Sequence, residues 1–177
     1  VLQPFIKSWS GYGVRHIPDG DYDIYDFSRA GLATDNRWNI QGESTLYLAS
    51  EKDVALGEWS RHLQVERSIG LVKKVKRRKV YRFEVKLTST IDLCDRYVWQ
   101  ALSLQNAPNC FLNKDTARAI AGFIRHTTQV EAIFVPSVVF LDRPDKWVLV
   151  VFLEKLSTNP YEFLPNCVED GYFAIDS

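Results

Sequence analysis

Thr45-Leu46-Tyr47-Leu48-Ala49-Ser50-Glu51-Lys52-Asp53-Val54-Ala55-Leu56-Gly57-Glu58-Trp59 changes its hydrophobic period in the middle, and that change decides the fold class. Thr45 to Ala49 is a short apolar run bounded by Gly42 and Ser50, which reads as a buried strand. Ser50, with Asp53 three residues later, resembles a capping box opening a helix. The helix is expected to run to about Glu66, with Ala55, Trp59, His62 and Leu63 sharing its inner face. Glu58 falls at the border of that face. A carboxylate there is either a rim residue or one held in a cleft.

Outward from this strand and helix, the chain keeps mixing the two periods. Gly11 to Ile17 reads as a first strand, ended by the turn Pro18-Asp19-Gly20-Asp21. A polar loop rich in Asp and Tyr follows, through to Arg37-Trp38-Asn39. Val80 to Leu87 alternates, with Tyr81, Phe83, Val85 and Leu87 on one face and Arg82, Glu84 and Lys86 on the other. Lys114 to His126 predicts a second amphipathic helix, with Ala117, Ile120, Ala121 and Ile124 inward. Glu131–Val135, Val138–Leu141 and Trp147–Leu153 read as closing strands, the last two joined by Asp142-Arg143-Pro144-Asp145. Regular βαβ alternation is absent, so the expected class is α+β. Residues 1–13 read as an extension, 14–155 as the main domain and 156–177, with Pro160, Pro165 and Gly171, as an irregular strap.

Composition narrows the function classes. The 177 residues suit one domain with a real core. Lys plus Arg equal Asp plus Glu at 22 each, so no whole-molecule charge draws the chain to nucleic acid or an anionic membrane. Cys94, Cys110 and Cys167 form no Cys-x-x-Cys pair, which argues against a disulfide framework or zinc site and fits a reducing, cytoplasmic compartment. No run approaches the roughly 18 apolar residues of a membrane helix, and residues 1–7 lack the blocks of a signal peptide. The absence of Met, even at position 1, points to a missing start or an excised domain.

Five places carry candidate chemistry. Arg15, at the end of the first strand, is either a surface arginine or an anion clamp, because a guanidinium fork matches two phosphate oxygens. Arg37-Trp38-Asn39 sets a cation, a flat ring and an amide in one loop, where a Trp anchor is the commoner explanation. Tyr47 is a core tyrosine or an aromatic face for a base or nicotinamide ring. Glu58 has the stronger claim, although an exposed helical Glu is the default for any single Glu. Ser137 follows Pro136 between apolar runs and could simply satisfy local backbone.

Their order is more telling than any one of them. Val14-Arg15-His16, Arg37-Trp38-Asn39, Leu46-Tyr47-Leu48-Ala49, Ala55-Leu56-Gly57-Glu58 and Val135-Pro136-Ser137 together resemble the RES-domain family, named for its arginine, glutamate and serine. The likeness runs from about Val14 to Glu154. Asn36 stands where the family usually has Gly, and Asp145-Lys146-Trp147 where its last strand commonly starts with Asn. The resemblance implies a fold related to ADP-ribosyltransferases and the role of a toxin in a toxin–antitoxin pair, neutralised by an Xre-type antitoxin. It implies an NAD site in which Arg15, Glu58 and Ser137 are catalytic and Arg15, Arg37, Asn39 and Tyr47 bind substrate. NAD would be consumed at its nicotinamide–ribose bond, with phosphate or water as acceptor, or a protein side chain in an ADP-ribosylation. No metal is expected, and a homo-oligomer is open.

The run Lys73-Lys74-Val75-Lys76-Arg77-Arg78-Lys79 carries the rival reading, a nucleic-acid module or ribonuclease using His16, His62 or His126. Lysines beside a strand often protect a sheet edge, and no aromatic interleaves this run before Tyr81. It is therefore expected to be a solvated edge, separate from any NAD site.

Overall fold

The computed structural model describes residues 1–68 and 77–174. Its strands are β1 (Lys7–Pro18), β2 (Thr45–Ala49), β3 (Arg78–Asp92), β4 (Ala132–Pro136), β5 (Trp147–Phe152) and β6 (Val168–Phe173). Its helices are α1 (Lys52–Ser68), α2 (Arg96–Ala101), α3 (Lys114–Thr127) and α4 (Pro160–Phe163). The class is α+β, as expected. Among the described residues no helix is long and apolar enough to cross a membrane.

β4 and β5 are almost wholly apolar because both of their faces are covered. Val135, Val148, Val150 and Phe152 enter one core, while Phe134, Leu149 and Val151 enter a second on the opposite face. α1 and α3 cover the first of these cores with Val54, Ala55, Ala117, Ala121 and Ile124. Arg125, near the end of α3, is almost fully buried and ties that helix to the entry of β2. Its guanidinium donates to both Glu154 oxygens at 2.6 and 2.8 Å, to Thr45 Oγ1 at 3.1 Å and to Ser44 O at 2.9 Å. A buried cation survives only with this degree of pairing.

The strand pairings make a ring with one weak joint. β2 and β4 flank β5 antiparallel, β4 runs parallel to β3, and β3 pairs antiparallel with β1 from Lys7↔Thr90 to Pro18↔Arg78. β1 and β2 share only the pair Val14↔Ala49. Beyond that pair the two strands part, and a cleft opens between them.

Several local expectations give way. β1 begins at Lys7 and β3 runs from Arg78 to Asp92, because each is the other's ladder partner. Ser50 does not cap α1: its hydroxyl is buried without a partner, and the first turn closes from Ala55 N–H to Glu51 O. Val138–Leu141 is a turn rather than a strand, since the Val138 N–H is taken by Glu58 and the Phe140 N–H by Ser137 O. His62 is exposed rather than packed with the core-facing residues of α1. Residues 156–174 are not irregular throughout. α4 is capped by Asn159, whose Oδ1 accepts from Glu162 N–H at 3.1 Å, and β6 pairs with the start of β3.

Candidate active site

The cleft is a cavity of about 1160 Å³. Its walls are the ends of β1 and β2, the loop between them and the inner side of α1, presenting among others Arg15, Arg37, Tyr47 and Glu58. Residues far apart in sequence thus meet at one opening.

Glu58 is the most constrained of them. Gly57 lets α1 lie directly on the turn after β4, since a Cβ there would be 3.1 Å from Val139 Cγ1. That approach allows Glu58 Oε1 to accept the Ser137 hydroxyl at 2.6 Å and the Val138 N–H at 3.1 Å. Ser137 Oγ in turn accepts from Val139 N–H at 3.3 Å. Among the described residues Glu58 Oε2 receives no hydrogen bond, while the side chain lines the cavity. Ser137 is fully buried and stands behind Glu58, off the cavity wall. The sequence places Ser137 at the substrate site; the structure places it one layer back, in contact with Glu58.

Tyr47 lies on the wall, with its hydroxyl donating to Asn39 Oδ1 at 2.6 Å and accepting from Trp38 N–H at 3.3 Å. Burial pushes its pKa well above the ordinary tyrosine value, so the ring is neutral. Asn39, expected to touch substrate, is 2% exposed and is not on the wall. Its amide is spent on the loop, donating to Ile40 O at 2.7 Å and Gly31 O at 3.3 Å. Gly31 itself has φ +84°, and a Cβ would lie 1.8 Å from Glu43 O, so only glycine fits. Trp38 is a buried anchor packed on Phe111.

Arg37 reaches the cavity with Nη1 held by Phe111 O at 2.9 Å and Leu112 O at 2.7 Å. Burial lowers its pKa. Arg15 Nη1 donates to Ile24 O, and its guanidinium sits 5.0 Å from the Phe27 ring centroid. Burial, with Arg78 adding repulsion, lowers Arg15 to about 10, which still leaves it cationic at neutral pH.

The wall also holds residues that sequence reasoning missed. Arg29, Arg61, Arg78 and Lys114 join Arg15 and Arg37 there, against Asp35 and Glu58 alone among the described acidic residues. The net charge of the whole chain is zero, so its average concealed a strongly cationic cavity. Arg78 belongs to the basic run expected to be a solvated edge. Lys73 to Lys76 lie outside the described residues. Arg77 and Lys79 do engage surface partners, Asp19 at 3.7 Å and Glu169 at 3.4 Å. Arg78, however, turns into the cavity, and β3 here is no edge, being flanked by β1 and β6.

Two of the three histidines, His16 and His126, are poorly set for ribonuclease chemistry, while His62 lines the cavity. His16 Nδ1 accepts from Arg78 Nε at 3.0 Å, and burial, Arg78 and Arg15 together hold its pKa down to about 3. It stays neutral at physiological pH and cannot alternate between acid and base. His126 faces Glu43 at 3.5 Å, off the cavity wall.

Fold and site therefore define a single-domain α+β protein with a cationic ligand cleft built around one held carboxylate. The RES domain family model matches residues 13–171, and the chain belongs to that family. Among solved structures the chain is similar to one from the crystal structure of the M. tuberculosis MbcT–MbcA toxin–antitoxin complex. The TM-score is 0.61 and the identity 16%, covering 93% of this chain and 86% of that one. At that identity the likeness is one of fold alone. Comparison with curated proteins finds no match.

Proposed function

We propose that this protein is the toxin of a toxin–antitoxin pair and that it breaks the nicotinamide–ribose bond of NAD. The observation that carries the reading is the Glu58 carboxylate, with one oxygen bound by Ser137 and Val138 and the other accepting no hydrogen bond among the described residues, inside a cation-rich cavity. Membership of the RES family and a fold shared with a chain of a toxin–antitoxin complex support the toxin role.

The chemistry follows from the charge on the substrate. The nicotinamide ring of NAD is cationic and leaves as a neutral molecule, taking the electron pair of the C–N bond, so no acid is needed. The ribose left behind has oxocarbenium character, as in glycoside cleavage. Glu58 stabilises that cation through its free oxygen. Arg15 and Arg37 hold the diphosphate, and Tyr47 packs its ring against the ribose or nicotinamide. Ser137 and Asn39 position Glu58 and Tyr47 rather than the substrate. The acceptor oxygen then forms the new bond to the ribose carbon: phosphate gives ADP-ribose phosphate, and water gives ADP-ribose with release of a proton. The cation surplus on the cavity wall favours phosphate. An Xre-type antitoxin is the proposed partner and the cytoplasm the proposed site of action.

The test is to incubate pure protein with NAD, with and without phosphate, and identify the products. Nicotinamide with ADP-ribose phosphate is the expected result. Free ADP-ribose, or label transferred to protein, would reassign the acceptor. If nicotinamide never appears under any of these conditions, the reading fails.

A further inference from the structure

Arg78 differs from both of its neighbours. Arg77 and Lys79 each face a carboxylate, whereas Arg78 has none within ion-pair distance among the described residues. It is nonetheless half withdrawn from water, enough for burial to lower its pKa. A cation in that position without a counter-ion is costly. The protein does not relieve the cost with an acid but fixes the group in place. Nε donates to His16 Nδ1 at 3.0 Å and Nη2 to His16 O at 3.3 Å, while the guanidinium lies 5.8 Å from the Trp59 ring centroid. Nη1 has no hydrogen-bond partner among the described residues, and the side chain lines the cavity.

His16 is suited to this work. Because Nδ1 accepts, the ring proton sits on Nε2, and the imidazole is flanked by Trp59 and Phe173 at 5.6 and 5.7 Å. A protonated His16 would face two arginines, Arg78 and Arg15, and would lose the lone pair that Arg78 uses.

We propose that Arg78, oriented by His16, is a further phosphate-binding residue of the cavity, taking an oxyanion oxygen of the dinucleotide's diphosphate or of a free phosphate. The proposal rests on the NAD reading for the identity of the dinucleotide, but not for the oxyanion chemistry. A guanidinium with a free edge and no internal counter-ion is complementary to an anion that arrives with the ligand. Arg15 projects from the other face of the β1–β3 ladder and also lines the cavity, so the two guanidiniums approach from different sides.

Calorimetric binding of ADP, inorganic phosphate and adenosine to the wild type, Arg78→Gln and Arg78→Lys tests this. Arg78→Gln should weaken ADP or phosphate roughly tenfold to a hundredfold, the usual range for a hydrogen bond to a charged group, and leave adenosine unchanged. Loss on ADP assigns the residue to the diphosphate, and loss on phosphate alone assigns it to the free anion. Unchanged binding of both anions, or an equal loss on adenosine, overturns the proposal. Arg78→Lys keeps the charge without the fork and should fall between wild type and Arg78→Gln. If Arg78→Gln fails to fold, Arg78→Lys decides alone, and wild-type affinity for both anions in it overturns the proposal. Nicotinamide release by the wild type is measured in parallel. Its absence would sink the NAD reading while leaving the ADP and phosphate binding arms to decide Arg78.

Discussion

Glu58→Gln isolates charge from shape. The wild-type Oε1 accepts from Ser137 and Val138, and a glutamine carbonyl oxygen can accept both in the same place. The amide nitrogen then replaces Oε2 on the cavity side, so helix, turn and cavity volume are retained. What disappears is one negative charge beside the developing ribose cation. At about 4 Å and an effective dielectric constant near 20, a unit pair interacts by about 4 kcal/mol. Loss of a preorganised electrostatic partner costs a similar amount in other enzymes, about 2.7–4 kcal/mol, which is roughly a hundred- to a thousandfold in kcat. In the ground state the positive charge sits on the nicotinamide ring, and only in the transition state does it move to the ribose beside Glu58, so the Kd for NAD should move less than kcat. Nicotinamide release gives kcat and calorimetry gives Kd. Turnover within threefold of wild type, in a folded Glu58→Gln protein, would refute the assignment of the transition-state charge to this residue.

Ser137→Ala removes the 2.6 Å hydrogen bond but leaves the carboxylate, so kcat should fall roughly tenfold at an almost unchanged KM; a KM effect alone would mean that Ser137 meets substrate after all. Arg37→Ala should raise the Kd for NAD and also lower the melting temperature, because Phe111 O and Leu112 O lose their donor together; calorimetry and thermal melts separate the two effects. Gly57→Val should destabilise by about 1–3 kcal/mol and cut turnover, since the space against Val139 is already filled; wild-type turnover would show that α1 need not touch this turn. The pH dependence of folding should carry a contribution from Glu131. Burial alone would raise its pKa, but hydrogen bonds from Thr88 N–H at 2.7 Å and from Ser157 outweigh it and hold the folded value below the ordinary one. Its stabilisation is therefore complete above the unfolded pKa of about 4.3 and is lost as pH falls through the folded value. Glu131→Gln should flatten the acid limb of a denaturation series, and an unchanged limb would contradict this.

The elements with strong local patterns were legible in the sequence: the strand Thr45–Ala49 and its helix, the alternating start of β3, and α3 with its inward alanines and isoleucines. The misreadings have physical causes. Val138–Leu141 is apolar enough for a strand, but a carboxylate from α1, far away in sequence, takes the N–H that a ladder would use. Ser50 has the right spacing for a cap, yet the chain enters α1 with that hydroxyl buried and unpaired. The tail looked irregular because Pro160, Pro165 and Gly171 interrupt it, while its partner strand begins at Arg78.

The sequence by itself determined the α+β class and the family, and it singled out Arg15, Arg37, Tyr47, Glu58 and Ser137 as candidates, because residue order and hydrophobic period are one-dimensional properties. Only the tertiary structure decided which of these face the cavity and which stand behind it. Ser137 and Asn39 have the same donors and acceptors wherever they sit, and packing alone turned them toward Glu58 and Tyr47. Packing likewise separated Arg78 from Arg77 and Lys79, three adjacent cations identical in charge. The paired β1–β3–β6 strands send the middle one into the cavity and leave the outer two with surface acids. Charge is carried by the residue, but its partner is set by the fold.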